Sequence, residues 1–159
     1  SACLVGSEMC IRDRNYTMMG DNVNTAARLE SSAKQYGVYI QIADSTYQAV
    51  KEKVVVRDLD NVVVMGKNEP VKVWELVSEV GQEPDQYKKI LPAYHEALDL
   101  YKNQEWSKAI DAFKASDELE EMFGGRKTNP SRIYIPRCEH YQENPPGEDW
   151  DGVWTLTSK

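Results

Sequence analysis

The feature that most constrains the fold is the stretch Asp21–Tyr36, whose apolar residues recur at helical spacing and run into a glycine. At roughly 100° per residue, Val23, Ala26, Ala27, Leu29, Ala33 and Tyr36 gather on one side of a helix, and Asn24, Arg28, Ser31 and Gln35 on the other. Asp21 or Asn22 suits the N-cap, and Gly37 suits the position just past the last turn. A face built largely of alanine lets such a helix lie close against a sheet. Asn24 and Arg28, four residues apart, would stand about 5–6 Å from one another at Cβ. An amide and a guanidinium projecting from one turn could grip one substrate, although by spacing alone such a polar pair is more often simply solvated.

The following residues supply a sheet. Val38, Ile40 and Ile42 alternate with polar or aromatic neighbours and predict a half-buried strand over Val38–Ile42. Asp44-Ser45 offers an N-cap, and Ser45 with Gln48 a capping box, for a short helix to about Lys53. Val54–Arg57 and Asn61–Met65 are rich in β-branched residues. With the Gly66–Pro70 turn and Val71–Val77 they read as a terminal hairpin. Ser78–Pro84 is polar, holds Gly81 and Pro84, and marks a boundary between two units.

Beyond it, Asp85 is expected to cap a helix in which Ile90, Leu91, Tyr94, Leu98 and Tyr101 recur at helical spacing. Asn103–Glu105 interrupts, and a second helix carries Trp106, Ala109, Ile110 and Phe113. The order Ala97, Tyr101, Trp106, Ala109, Phe113 resembles one tetratricopeptide-like hairpin. A single such unit cannot bury its own face and needs a neighbour: the preceding unit, a following helix or a second chain. Its aromatics are expected to be core. Gly124-Gly125 and Asn129-Pro130 mark another break. Ile133, Tyr134, Cys138 and Tyr141 then form a short amphipathic segment that Pro136 should kink or start. Asn144–Gly147 stops it, and Val153–Thr157 alternates as a strand.

The phrase Tyr16-Thr-Met-Met-Gly-Asp-Asn-Val-Asn-Thr-Ala-Ala-Arg-Leu-Glu30 resembles the signature of class III nucleotide cyclases: an aromatic, a base-contacting residue, Gly-Asp, then Val-Asn-x-Ala-x-Arg. The likeness continues through Gly37–Ala43, Thr46-Tyr47, Arg57-Asp-Leu-Asp60, Gly66–Val71 and Trp74-Glu-Leu76. The fold it implies is α+β: a partial class III cyclase domain, ferredoxin-like, followed by a small helical appendage. The implied activity of the parent is that of an adenylate cyclase, conversion of ATP to cyclic AMP and pyrophosphate in intracellular signalling. Asn24 would hold the ribose and align its 3′-hydroxyl, and Arg28 would stabilise charge developing on the phosphate oxygens. Thr17 would contact the purine, and a threonine there looks like the bacterial adenylyl cyclases rather than the guanylyl enzymes. Lys67, in the last hairpin, is a candidate for the triphosphate.

There are two departures from the family pattern. The family commonly places a lysine before the Gly-Lys of that hairpin, whereas this chain reads Val64-Met65-Gly66-Lys67, and Met65 cannot donate to phosphate. The two metal-binding aspartates of the family lie on strands before the position of Tyr16, and nothing corresponding precedes it here. The resemblance therefore implies two divalent cations, Mg or Mn, with their ligands missing from this chain and no metal-ligating residue to nominate within it. It also implies a head-to-tail homodimer whose sites each take Asn24 and Arg28 from the opposite protomer. The chain alone is then expected to be inactive, and its uncovered sheet edges to favour aggregation. A non-catalytic cyclase-homology module for regulation or dimerisation, a guanylate cyclase, and a helical tail acting as a protein-interaction module are the competing readings.

Leu4–Arg14 lacks periodicity and resembles a translated sequencing adapter, so residues 1–14 are set apart as a non-native segment. The alternative is that Cys3-Leu-Val-Gly6 is a strand remnant, since cyclases carry a similar phrase there. Residues 15–77 then read as the C-terminal half of a cyclase catalytic domain, 78–84 as a linker, 85–123 as the tetratricopeptide-like hairpin and 124–159 as an extension with a short helix and terminal strand. A net charge of −7 disfavours a general nucleic-acid surface. No apolar run approaches the roughly 18 residues of a membrane span, so no membrane contact is expected of this portion. Of three cysteines only Cys138 lies clear of the set-apart segment, which suits a reducing cytoplasm. His95 and His140 have no ligand spacing around them.

Overall fold

The computed structural model describes residues 21–63, 70–120, 127–147, 150 and 152–154, with backbone alone at 21–26, 28, 31 and 63. Helix α1 (Asp21–Tyr36) is followed by a short strand β1 (Gln41–Ala43), helix α2 (Asp44–Val50) and two long strands, β2 (Val54–Val63) and β3 (Pro70–Glu79). Three helices complete the chain: α3 (Tyr87–Lys102), α4 (Trp106–Glu120) and α5 (Pro130–Glu143). The sheet is antiparallel with the order β1-β3-β2. This is the mixed helix-and-sheet arrangement expected of a partial cyclase domain with a helical part after it.

Helix α1 lays Leu29, Ala33 and Tyr36 on Leu59 of β2 and Val73 of β3, with Val38 closing the cluster. Ala27, placed on the apolar side by the wheel, is exposed, because the buried stripe is narrow and follows 29, 33 and 36. The helix ends on Gly37, whose φ of +66° lies in the left-handed region, and the Val38 N–H donates back to the Ala33 carbonyl at 3.1 Å. A Cβ at Gly37 would fall 2.1 Å from the carbonyl oxygen of Thr128. Gly37→Ala is therefore expected to lose at least about 1–2 kcal/mol from left-handed strain alone. A lowered urea midpoint measured by circular dichroism is the check.

Val38–Ile42 does not form the strand its alternation predicts. The helix exit consumes Val38, and only Gln41–Ala43 pair with β3, opposite Glu75, Trp74 and Val73. Tyr39 and Ile40 are consequently 75% and 52% exposed. The capping box is absent too. Asp44 already lies in the first turn of α2 behind the N-cap Ala43, and its carboxylate accepts from the Trp74 indole at 3.0 Å. Val54–Val63 is one strand rather than two, because bulges at Val55/Val56 and Asp58/Asp60 absorb the irregular residues without breaking the pairing with β3.

Helix α3 starts at Tyr87 with no side-chain cap, while Asp85 pairs with Lys88 at 2.8 Å instead. Gln104, at φ +61°, makes the turn into α4. In α5 the Asn129 side chain caps the helix by accepting from the Arg132 N–H at 3.0 Å, and the helix runs unbroken through Pro136. Tyr94, Ala97, Leu98, Tyr101, Ala109, Phe113, Tyr134 and Cys138 form the core of this three-helix layer. The Phe113 and Tyr134 rings stack at 5.0 Å. Helix α5 is thus the neighbour that the α3–α4 hairpin needed. Val153 and Trp154 are not in a strand; Trp154 packs edge-on against Tyr141 at 5.2 Å. Residues 155–157 of the expected strand lie outside the described residues. No helix among the described residues is long and apolar enough to cross a membrane.

Candidate active site

The two residues expected to act on substrate, Asn24 and Arg28, lie on the first half of α1, one helical turn apart along the backbone. Thr17 and Lys67 lie outside the described residues. The arms leading to Lys67 are in place: β2 and β3 pair as far as Val63 opposite Pro70. What the structure describes in detail is how the far end of α1 is held.

The Tyr36 hydroxyl, buried at the last turn of α1, donates to Asp60 of β2. Arg137 of α5 donates to the same carboxylate oxygen at 2.6 Å and to the Tyr36 oxygen at 3.1 Å. The other Asp60 oxygen accepts from the Asn61 N–H at 2.8 Å. Burial, and next the Asp60 charge, raise the Tyr36 pKa well above its ordinary value, so the phenol keeps its proton. Burial works against the charge on Arg137, but Asp60 and then the nearby tyrosines outweigh it and the guanidinium stays ionised. Further along, Gln41 donates to Ser32 at 2.8 Å, tying β1 to the middle of α1.

A second buried ionic group sits between the sheet and α4. Arg57 Nε donates to Glu75 at 2.7 Å, its Nη1 donates to Glu120, and the guanidinium carbon lies 5.0 Å from the centre of the Tyr94 ring. All three ionised side chains are almost wholly out of water. Burial opposes the Arg57 charge, and Glu75 followed by Glu120 more than offset it. Sequence reasoning quoted Arg57, Asp60 and Glu75 only as parts of a family phrase. The available signal was charge at positions alternating with apolar residues inside strands, with Arg137 on an amphipathic helix.

Two concavities flank these groups. One, of about 510 Å³, runs beside α1 and is lined by Leu29, Glu30, Ala33, Tyr39, Ile40 and Gln41, among others. The other, of about 250 Å³, lies between β2, α3 and α5, where Lys72 and Lys102 each stand 3.1 Å from Asp58. In the smaller one both aspartates are engaged: Asp58 lies between two ammonium groups, and Asp60 accepts from Arg137 and Tyr36. No group of three or more His, Cys, Asp or Glu among the described residues could hold a metal ion. Cys138 is buried, and burial pushes its thiol up to about 12, so it is no nucleophile at neutral pH.

A strand hairpin with a small-faced helix packed on it, followed by helices, is an α+β frame. Residues 2–78 match the adenylate and guanylate cyclase catalytic domain, so this part of the chain is similar to that family. The match begins inside the segment that the sequence reading sets apart. Among curated proteins, the chain is 34% identical over 126 residues to the terminal-differentiation-specific adenylate cyclase of Dictyostelium discoideum, covering 77% of this chain and 6% of that protein. It is 32% identical over 77 residues to adenylate cyclase 1 of Rhizobium meliloti strain 1021, covering 48% of this chain and 12% of that one. The chain thus spans only a small part of the length of these relatives. No solved structure matches it.

Proposed function

We propose that this chain supplies one half of a composite adenylate cyclase site that forms cyclic AMP and pyrophosphate from ATP. In that reaction the ribose 3′-oxygen bonds to the α-phosphorus while the bond from that phosphorus to the bridging oxygen of the pyrophosphate breaks. Asn24 orients the ribose, Arg28 meets the charge that grows on the phosphate oxygens, Thr17 contacts the purine and Lys67 the triphosphate. The chain acts in the cytoplasm, as a homodimer in which these residues serve the site of the opposite protomer. Two divalent cations, when bound, would supply charge neutralisation at the phosphates and acidification of the 3′-hydroxyl. Their ligands are not among the residues described, so no step is assigned to a metal held by this chain.

The observation that carries the reading is the match of residues 2–78 to the cyclase catalytic domain, together with two relatives that both bear the name adenylate cyclase. Met65, standing where the family commonly has a phosphate-binding lysine, is the one feature favouring a non-catalytic regulatory module. The test is complementation. The purified chain alone is expected to release no cyclic nucleotide from ATP. Mixed with a cyclase protomer that keeps its metal carboxylates but has lost its own counterparts of Asn24 and Arg28, it should restore turnover. Silence in the mixture, with both proteins folded, would favour the regulatory reading, and preference for GTP would move the assignment to a guanylate cyclase.

A further inference from the structure

Helix α1 is held at its C-terminal end by the segment that follows the cyclase module. Arg137 closes a buried ring with Asp60 and Tyr36, taking one member each from α5, β2 and α1. Beside it, the Tyr134 hydroxyl donates to the Leu59 carbonyl at 2.5 Å, and Ile133 packs on the cluster of Leu29, Ala33 and Tyr36. The backbone of Thr128 presses so closely on Gly37 that no Cβ would fit between them. Among the described side chains of α1, Leu29, Ala33 and Tyr36 are the buried apolar ones, and Ala33 adds little area.

We propose that the helical extension is a brace that sets the tilt of α1, and that Arg137 is a positioning residue for Asn24 and Arg28. This rests on the cyclase reading above. The lever is long: at 1.5 Å per residue, Asn24 lies about 18 Å along the helix from Tyr36 and Arg28 about 12 Å. A tilt of roughly 3° at Tyr36 would move position 24 by about 1 Å, and a 1 Å misplacement of a catalytic group can cost about 10²-fold in rate. A match of 126 residues cannot be contained within residues 2–78, so the similarity to the Dictyostelium relative extends beyond the cyclase-domain match. The brace is not a proton switch near neutral pH on the tyrosine or arginine side, because both groups keep their protons.

The test has two readouts. In the 159-residue chain, Arg137→Met should raise amide hydrogen exchange over residues 33–38 by about tenfold or more, the scale of a lost charged hydrogen bond. Exchange over residues 94–101 in α3 should stay as it was. Arg132→Met, which loses a 2.8 Å pair with Asp117 inside the extension, serves as the control and should leave α1 unchanged. In the complemented cyclase, Arg137→Met should lower kcat about tenfold or more with KM for ATP within about twofold. Arg137→Lys, which keeps a cation on Asp60, should recover part of that loss. If exchange in α1 is unchanged, or rises together with that in α3, the brace is wrong. An unchanged kcat would likewise remove the positioning role. Should Arg137→Met not fold, Tyr36→Phe, which deletes only the bridging hydroxyl, is read in the same two ways. If the unmutated pair makes no cyclic nucleotide, the cyclase reading fails, and hydrogen exchange still decides whether the extension holds α1.

Discussion

Arg57→Ala is expected to leave most of the chain unfolded at 25 °C. Arg57 bridges Glu75 and Glu120 in a buried site, and removing it takes the guanidinium away from both carboxylates. Breaking a buried pair by deleting one partner costs about 3–5 kcal/mol, and here one cation serves two anions. Total stabilities of single domains are only about 5–15 kcal/mol. Arg57→Lys should rescue little, since one ammonium cannot reproduce the fork that spans both acids while lying over Tyr94. The triple replacement Arg57→Met, Glu75→Leu, Glu120→Leu should fold, because exchanging a whole buried ionic group for packed apolar side chains is often neutral or stabilising by about 1–4 kcal/mol. Urea denaturation followed by tryptophan fluorescence separates the three. A single alanine variant with an unchanged midpoint would show that the ion pairs contribute no net stability.

Arg28→Ala is expected to cut the turnover restored by complementation about 10²–10³-fold, the scale found when one donor to a developing oxyanion is removed. Affinity for ATP should change far less, because the charge it meets grows only as the α-phosphorus is attacked. The fold should be indifferent to the change, as α1 is secured through Leu29, Ala33, Tyr36 and Gly37, none of which is replaced. The measurement is cyclic AMP release against ATP concentration, with unfolding curves in parallel. A variant that kept its kcat would remove Arg28 from the reaction. One that lost stability instead would turn it into a structural residue.

Much of the local architecture was legible because it follows from periodicity. The helix over 21–36, its glycine stop at Gly37, the β2–β3 hairpin and the helices α3 and α4 all carry their pattern within a few neighbouring residues. Where local signals misled, a tertiary contact had taken the residue. Val38 went to the helix exit instead of a strand, and Asp44 to the Trp74 indole instead of a cap. Pro136 is carried inside α5, where the layer of Tyr134, Cys138 and Tyr141 on α3 and α4 holds the helix across it.

The amino-acid sequence by itself determined the class of frame, the cyclase-like phrase around Asn24 and Arg28, and the helical character of residues 87–120. Only the tertiary structure decided that the extension returns to clasp α1. Arg57 meets Glu120 across 63 residues, and Arg137 meets Tyr36 across 101. No periodicity encodes such pairings. A charge within a strand reads the same whether it faces water or an ion of opposite sign, and its partner is chosen when the apolar faces of the two layers close and exclude water from between them.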